Sequence, residues 1–154
     1  MRNMSFALTT RQYRERTKTV TRRDAWRFLK PGDRFMGVEK AMGLKRGEKI
    51  VKIEPAIVLS VREEPLKSIT QEDVIREGFP DWTPQQFIDF LCKENGCTPE
   101  KMFNRIEFEY EDIYKKAAEI IKENSNYSVT LLQKELKTNY NRSFLLIIAI
   151  TSGD

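Results

Sequence analysis

Phe103-Asn104-Arg105-Ile106-Glu107-Phe108-Glu109-Tyr110 decides the fold class. Phe103, Arg105, Glu107 and Glu109 alternate with Asn104, Ile106, Phe108 and Tyr110. A period of two, apolar on one side and charged on the other, predicts a strand with one face on a core and one in water. The chain changes character directly after it. From Glu111 to Glu123, Ile113, Ala117, Ile120 and Ile121 recur at helical spacing. Ser128 is placed to cap a second helix over Val129 to Leu136, and a third begins near Asn141. No strand signal follows Tyr110. The boundary falls at Tyr110-Glu111, dividing residues 1–110 from a three-helix unit over 111–154.

Upstream, short strand and helix signals are mixed. Ser5 to Leu8 reads as a first strand, and Thr10 is placed to cap a short helix through Arg16. Lys18 to Arg23 alternates β-branched and charged residues and reads as extended. Asp24 caps a turn holding Ala25, Trp26 and Phe28, and Lys30-Pro31-Gly32-Asp33 is a second turn. Phe35 to Val38 reads as a strand, and Met42 to Glu48 as a loop with two glycines. Ile50–Ile53 and Ala56–Arg62 form a β-rich region. Thr70 with Asp73 caps a helix over Gln71 to Glu77, and Thr83-Pro84 with Gln86 starts another. The expected class is α+β: a small β-barrel with short flanking helices, followed by the three-helix C-terminal unit.

A chain of 154 residues, 40% hydrophobic and 32% charged, fits one globular domain with a small appendage. The longest apolar run, Phe144 to Ile150, is far short of the roughly 20 residues that span a bilayer. The N-terminus lacks a long apolar signal region. We expect a cytoplasmic protein with no membrane partner. Cys92 and Cys97 are spaced C-x-x-x-x-C in a chain without histidine, a poor zinc site. We read them as reduced thiols and expect neither metal nor cofactor. Without imidazole, most hydrolase mechanisms are excluded, and any chemistry falls to Lys, Thr, Arg and Glu.

Net charge is +4, and it is unevenly spread. Between Thr9 and Arg34, nine basic residues face three acidic ones, a local charge of +6. Such clustering suggests a phosphate-bearing partner.

Lys18-Thr19-Val20-Thr21-Arg22-Arg23, Pro31-Gly32-Asp33, Glu64-Pro65-Leu66, Ile69-Thr70-Gln71-Glu72-Asp73, Glu77-Gly78-Phe79 and Ile106-Glu107-Phe108 follow one another in order. Together they resemble the ASCH domain, a branch of the PUA-like β-barrel superfamily, over residues 5–110. The Trp82-Thr83-Pro84-Gln85-Gln86-Phe87 segment resembles phage and bacterial versions of it. The resemblance implies binding of RNA, single-stranded nucleic acid or a modified nucleoside in a basic cleft. Some small bacterial ASCH proteins are amidohydrolases that remove the acetyl group of N4-acetylcytidine, and a ribonuclease activity is associated with another. The amidohydrolase residues, carried over by position, fall on Lys18, Thr21 and Glu77.

That chemistry is coherent by itself. A threonine hydroxyl can attack an amide carbonyl if a buried lysine of lowered pKa accepts its proton. Glu77 could hold Lys18 in place or exchange a proton with the leaving nitrogen. The two roles require opposite charge states, and the residues do not choose between them. An ionised Glu77 beside Lys18 would raise the lysine pKa and spoil it as a base. The mechanism therefore needs Glu77 at some distance from Lys18, protonated, or bonded mainly to substrate. In a regular strand Lys18 and Thr21 point to opposite faces, so one shared site requires the backbone to bend. Arg22 and Arg23 are the candidate anion-binding residues, and Trp26 and Tyr13 candidate stacking partners for a base. Trp82 reads as an anchor for the helix that follows it.

Residues 111–154 resemble a second family, the gamma winged-helix domain of FtsK-type DNA translocases. The residues concerned are Glu111 to Ala117, Ser128 to Lys134 and Asn139-Tyr140-Asn141-Arg142. The chain ends where the wing would begin. The resemblance implies DNA contact by Lys137, Asn141 and Arg142. Against it, the segment has no net charge, and Ser143 to Ile150 is too apolar for an exposed reading helix. Such a helix packs within its own unit, against the barrel, or against a second copy. Three readings result: a nucleic-acid or modified-nucleoside binder, an amidohydrolase of N4-acylated cytidine, and a phage or bacterial interaction protein using the apolar helix.

Overall fold

The computed structural model describes residues 1–124, 127–137 and 140–152, without the side chains of Tyr140, Asn141 and Ser152. In chain order the elements are β1 (Arg2–Ser5), α1 (Thr10–Arg14), β2 (Val20–Arg23), β3 (Arg34–Val38), β4 (Lys52–Pro65), α2 (Gln71–Arg76), α3 (Pro84–Asn95), β5 (Met102–Tyr110), α4 (Glu111–Asn124), α5 (Val129–Leu136) and α6 (Tyr140–Ser152). The strands form one curled sheet in the order β1-β3-β4-β5-β2, a half-barrel flanked by helices. The fold is α+β. Strand β1 runs parallel to β3, and the other neighbours are antiparallel.

The inner face of the curl buries Met4, Phe6, Tyr13, Phe35, Ala56, Val58, Ile106, Phe108 and Tyr110. Tyr13 comes from α1 and stacks on Phe6 with ring centroids 4.1 Å apart. Its ring fits only because residue 37 is glycine: a Cβ there would lie 2.2 Å from Tyr13 Cε1.

The first strand is displaced from its expected position. Phe6 N–H still donates to the Val38 carbonyl, but the chain then turns, with Thr9 N–H and the Thr10 hydroxyl both donating to the Phe6 carbonyl. That turn leaves Leu8 54% exposed, outside any strand. The β-rich region after residue 50 is one strand of 14 residues. It passes through Pro55, which lies opposite Met36 beside an irregularity at Gly37/Val38.

A bulge at Leu59 allows β4 to serve two cores. Val58 pairs with Phe108 and Ser60 with Glu107, so Leu59 is the extra residue. Ala56 and Val58 face the inner core before the bulge, and Val61, opposite Ile106, packs against it afterwards. Leu59 instead enters a second core with Ala117, Ile121, Leu132, Leu146, Ala149 and Ile150 from α4, α5 and α6. The apolar helix α6 is therefore packed within its own three-helix unit and against the sheet. Among the described residues no helix is long and apolar enough to cross a membrane.

A third cluster joins α2 and α3 to Phe103. The two caps are those expected: Thr70 accepts from Asp73 N–H, and Thr83 and Gln86 form a reciprocal capping box. Trp82 stacks on Phe79 at 4.2 Å at the entry to α3. The free thiols Cys92 and Cys97 flank Gly96, whose left-handed φ of 60° ends α3, and Cys97 N–H donates to the Cys92 carbonyl.

Candidate functional site

The charged face of β5 is not in water. Arg105, Glu107 and Glu109 are 4%, 3% and 0% exposed, as buried as the apolar face behind them. The expectation of a half-solvated strand is corrected by what covers it. Asp73 of α2 accepts both Arg105 Nε (2.6 Å) and Nη2 (2.8 Å), Arg76 of α2 pairs with Glu107, and Arg142 of α6 pairs with Glu109.

The ionic layer continues to β2. Arg22 donates to Asp73 (2.7 Å), Glu64 (2.6 Å) and Glu77 (3.0 Å). Lys18 Nζ donates to Glu77 Oε2 (2.6 Å) and to the Glu77 carbonyl (3.1 Å). Lys18, Arg22, Arg76 and Arg105 thus meet Glu64, Asp73, Glu77 and Glu107, four cations against four carboxylates. Burial alone would be costly, and the pairing offsets it.

The protonation equilibria reflect this balance. Burial opposes ionisation of Asp73, but the hydrogen bonds from Arg105 and Arg22 outweigh it and hold the carboxyl well below the usual range. Burial pushes Lys18 down although Glu77 pulls the other way. Burial likewise lowers Arg22, but Glu77 and Asp73 overcome it and its guanidinium is raised. A carboxyl with a depressed folded pKa contributes stability above its unfolded pKa and loses it as pH falls toward the folded value. Stability measured by urea unfolding should therefore fall below pH 5, with Asp73→Asn flattening that slope. An unchanged slope in the variant would show that Asp73 is not the group responsible.

Beside this layer lies a cavity of about 200 Å³. Lys18, Thr21, Arg23 and Glu77 line it, together with Phe6, Phe79, Phe87, Phe90 and Phe103. The backbone answers the spacing problem in Lys18-Thr21. Strand β2 starts at Val20, and Lys18 precedes it: its N–H donates to the Gln12 carbonyl (3.3 Å), and the Tyr110 hydroxyl donates to its carbonyl (2.6 Å). Both side chains reach one cavity. They are not hydrogen-bonded to each other among the described residues: the Thr21 hydroxyl accepts from Arg23 Nε at 3.1 Å. Glu77 has one carboxylate oxygen on Lys18 and the other on Arg22.

Of the other candidates, Arg22 and Arg23 also line the cavity, and the rest of those described lie elsewhere. Arg23 is half-buried, lies 4.9 Å over the Phe6 ring and forms no salt bridge among the described residues; burial pushes its guanidinium down to about 10. Arg22 is spent on carboxylates, with its side chain 1% exposed, and only its buried Nε lacks a partner. Tyr13 is fully buried and donates to the Glu54 carbonyl, so it offers no face to a base. Trp26 packs near Phe28, in a separate depression with Arg2 and Arg34. Lys137 is exposed in a left-handed C-cap. Arg142 is bonded to Glu109 and is not a free reading residue; the Asn141 side chain lies outside the described residues.

The basic run over Thr9–Arg34 is also corrected. Six of its nine cations, Arg11, Arg14, Arg16, Lys18, Arg22 and Arg34, are paired with carboxylates, several of them from distant parts of the chain. The charge of the run is largely compensated, and on the cavity wall Arg23 is a cation without a salt bridge among the described residues. The five phenylalanines of the wall were not read as site residues. Phe87 and Phe90 sit at helical spacing that also describes ordinary packing, and nothing local separates the two uses. Among the described residues no cluster of three or more potential metal ligands occurs. Comparison with protein families, with curated proteins and with solved structures finds no match to this chain.

Proposed function

We propose that this protein is an ASCH-type, PUA-like module that holds a single modified nucleobase or nucleoside in the cavity between β2 and α3. The observation that carries this is convergence: Lys18, Thr21, Arg23 and Glu77 meet five phenylalanine side chains around about 200 Å³. That space is smaller than the roughly 300–1,000 Å³ of sites for drug-sized ligands, and it suits one heteroaromatic ring. Aromatic walls favour a flat π-system, and the polar groups at one end can read its edge. A neutral ligand fits the compensated charge better than a polyphosphate would.

A second reading is favoured by one feature, the presence of Lys18, Thr21 and Glu77 on the same cavity. In that reading the protein hydrolyses the exocyclic amide of an N4-acylated cytidine. The Thr21 oxygen bonds to the acyl carbon as Lys18 takes its proton. The acyl C–N4 bond breaks as that proton passes to N4 of the departing cytidine. Water then hydrolyses the Thr21 ester to free the hydroxyl and the carboxylic acid, with Glu77 holding Lys18. Burial lowers the Lys18 pKa in the direction a base requires, while Glu77 at 2.6 Å opposes it, so Lys18 must give up its proton before it can act as the base. Thr21 must first leave Arg23 and approach Lys18, a rearrangement that bound substrate would have to drive.

One experiment tests both. Titration calorimetry with cytidine, N4-acetylcytidine, uridine and adenosine should show selective binding, and chromatography of the same mixtures should show whether cytidine is released. Release by the wild type that drops about 100-fold or more in Thr21→Ala supports hydrolysis. Selective binding without release leaves the binding reading alone. Absence of both for folded protein overturns the proposal.

A further inference from the structure

A dense group of cations without strong pairing lies away from the cavity, in the connection between β3 and β4. Residues 39–51 have no helix or strand. Connections this long are uncommon in compact domains unless they have a function. Every residue from Lys45 to Lys52 is exposed. Lys40 reaches Glu48 only at 3.7 Å, and Lys45, Arg46, Lys49 and Lys52 form no salt bridge among the described residues. From Lys40 to Lys52 five cations face one carboxylate, a local charge of +4 that equals the net charge of the whole chain. Gly43 and Gly47, both at positive φ (67° and 83°), shape the turns that hold the segment.

The connection is tied to the cavity. It leaves β3 at Val38, whose carbonyl accepts from Phe6 N–H (2.8 Å), and Phe6 belongs to the cavity wall. Glu39, its first residue, pairs with Arg14 of α1.

We propose that residues 39–52 form an arm that grips the phosphates of a single-stranded nucleic acid. The choice of nucleic acid among polyanions rests on the base-binding reading of the cavity. It is favoured over an anionic membrane because the arm holds no Trp, Tyr or Phe to seat in a lipid interface. Exposed Met42, Ile50 and Val51 interleave with the cations and can lie against sugars and base faces. The arm supplies affinity without sequence preference, and the cavity supplies selectivity.

The test is fluorescence anisotropy with a labelled 12-nucleotide single-stranded RNA of mixed sequence, between 50 and 200 mM KCl. The variant is Lys45→Gln/Arg46→Gln/Lys49→Gln/Lys52→Gln, with Lys115→Gln/Lys116→Gln as control. Four phosphate contacts to a single strand give a salt slope of about −3, so the wild type should lose about 50-fold in affinity over that range beyond any loss in the arm variant. At 50 mM the arm variant should bind at least tenfold more weakly than the wild type, and the control should match the wild type. Equal affinity and slope in wild type and arm variant overturns the proposal. So does wild-type binding to phosphatidylserine vesicles without RNA binding, or no RNA binding at 50 mM. Calorimetry with free nucleosides separates the two readings. RNA binding that needs the arm, with no nucleoside bound by the wild type, rejects the cavity reading and leaves the arm standing.

Discussion

Glu77→Leu is expected to destabilise the protein by about 3–5 kcal/mol. Glu77 is 2% exposed and stands between two buried cations, with Lys18 on one carboxylate oxygen and Arg22 on the other. Arg22 keeps Asp73 and Glu64 when Glu77 is removed, but Lys18 keeps only the backbone carbonyl of residue 77. A buried ammonium without a counter-charge is the costly element. Its pKa, already lowered by burial, should fall further once the opposing pull of Glu77 is gone. A lysine whose folded pKa lies below the unfolded value binds fewer protons folded than unfolded. The variant's stability should therefore rise with pH up to about 10.5. Lys18→Met/Glu77→Leu removes both charges and should recover part of the loss. Urea unfolding of wild type, single and double variants measures this. A single-variant loss under about 1 kcal/mol, or a double variant no better than the single, would mean that the pair is not buried as described.

This prediction also limits how catalytic assays can be read. Lost activity in Glu77→Ala would not by itself identify a chemical role, because the same substitution disturbs the folded state. Thr21→Ala is the cleaner probe. Among the described residues the Thr21 hydroxyl bonds only to Arg23 Nε, and its loss leaves no buried carboxylate or ammonium unpaired.

What could be read from the residues was local. Thr70 and Thr83 announce their helices because a cap and its partner lie three residues apart. The alternation in β5 and the change to helical spacing after Tyr110 are visible for the same reason. What could not be read was the destination of the charges. Arg105 and Asp73 are 32 residues apart, and Arg22 and Glu77 are 55 apart. A charged strand face with a distant partner looks identical in sequence to one facing water. The nine cations after Thr9 consequently promise a basic cleft, whereas six of them are matched by carboxylates, five of these outside the run. In sequence the connection after β3 is marked by its two glycines. Its cations stand out once those of the earlier run are accounted for. The meeting of Lys18, Thr21 and Glu77 on one cavity was anticipated through resemblance alone, since spacing by itself argued against Lys18 and Thr21 sharing a face.

Arg142→Ala is expected to cost about 3 kcal/mol and to lower the melting temperature by about 6–12 °C. Glu109 is 0% exposed, and Arg142 supplies two of its hydrogen bonds; another comes from Tyr110 N–H at 2.9 Å. The pair crosses from the sheet to α6, beside the second core in which Leu59 of β4 meets α4, α5 and α6. That core makes the sheet and the three helices unfold together in the wild type, so helix content and tryptophan fluorescence should report one transition. Both tryptophans, Trp26 and Trp82, lie outside the three-helix unit. With Arg142 removed, α6 loses an ionic anchor, and the loss of helical signal should begin before the change in fluorescence. Glu109→Gln/Arg142→Met should be closer to wild type than Arg142→Ala, because no buried carboxylate is left uncompensated. Lys137→Ala, at an exposed C-cap, should leave stability within about 0.5 kcal/mol of wild type. A DNA-reading role for the same residues makes the opposite demand: both variants would weaken binding to duplex DNA, and neither would alter the melting curve. Unchanged stability in Arg142→Ala would therefore reject the anchoring role and return Arg142 to the candidates for an exposed contact.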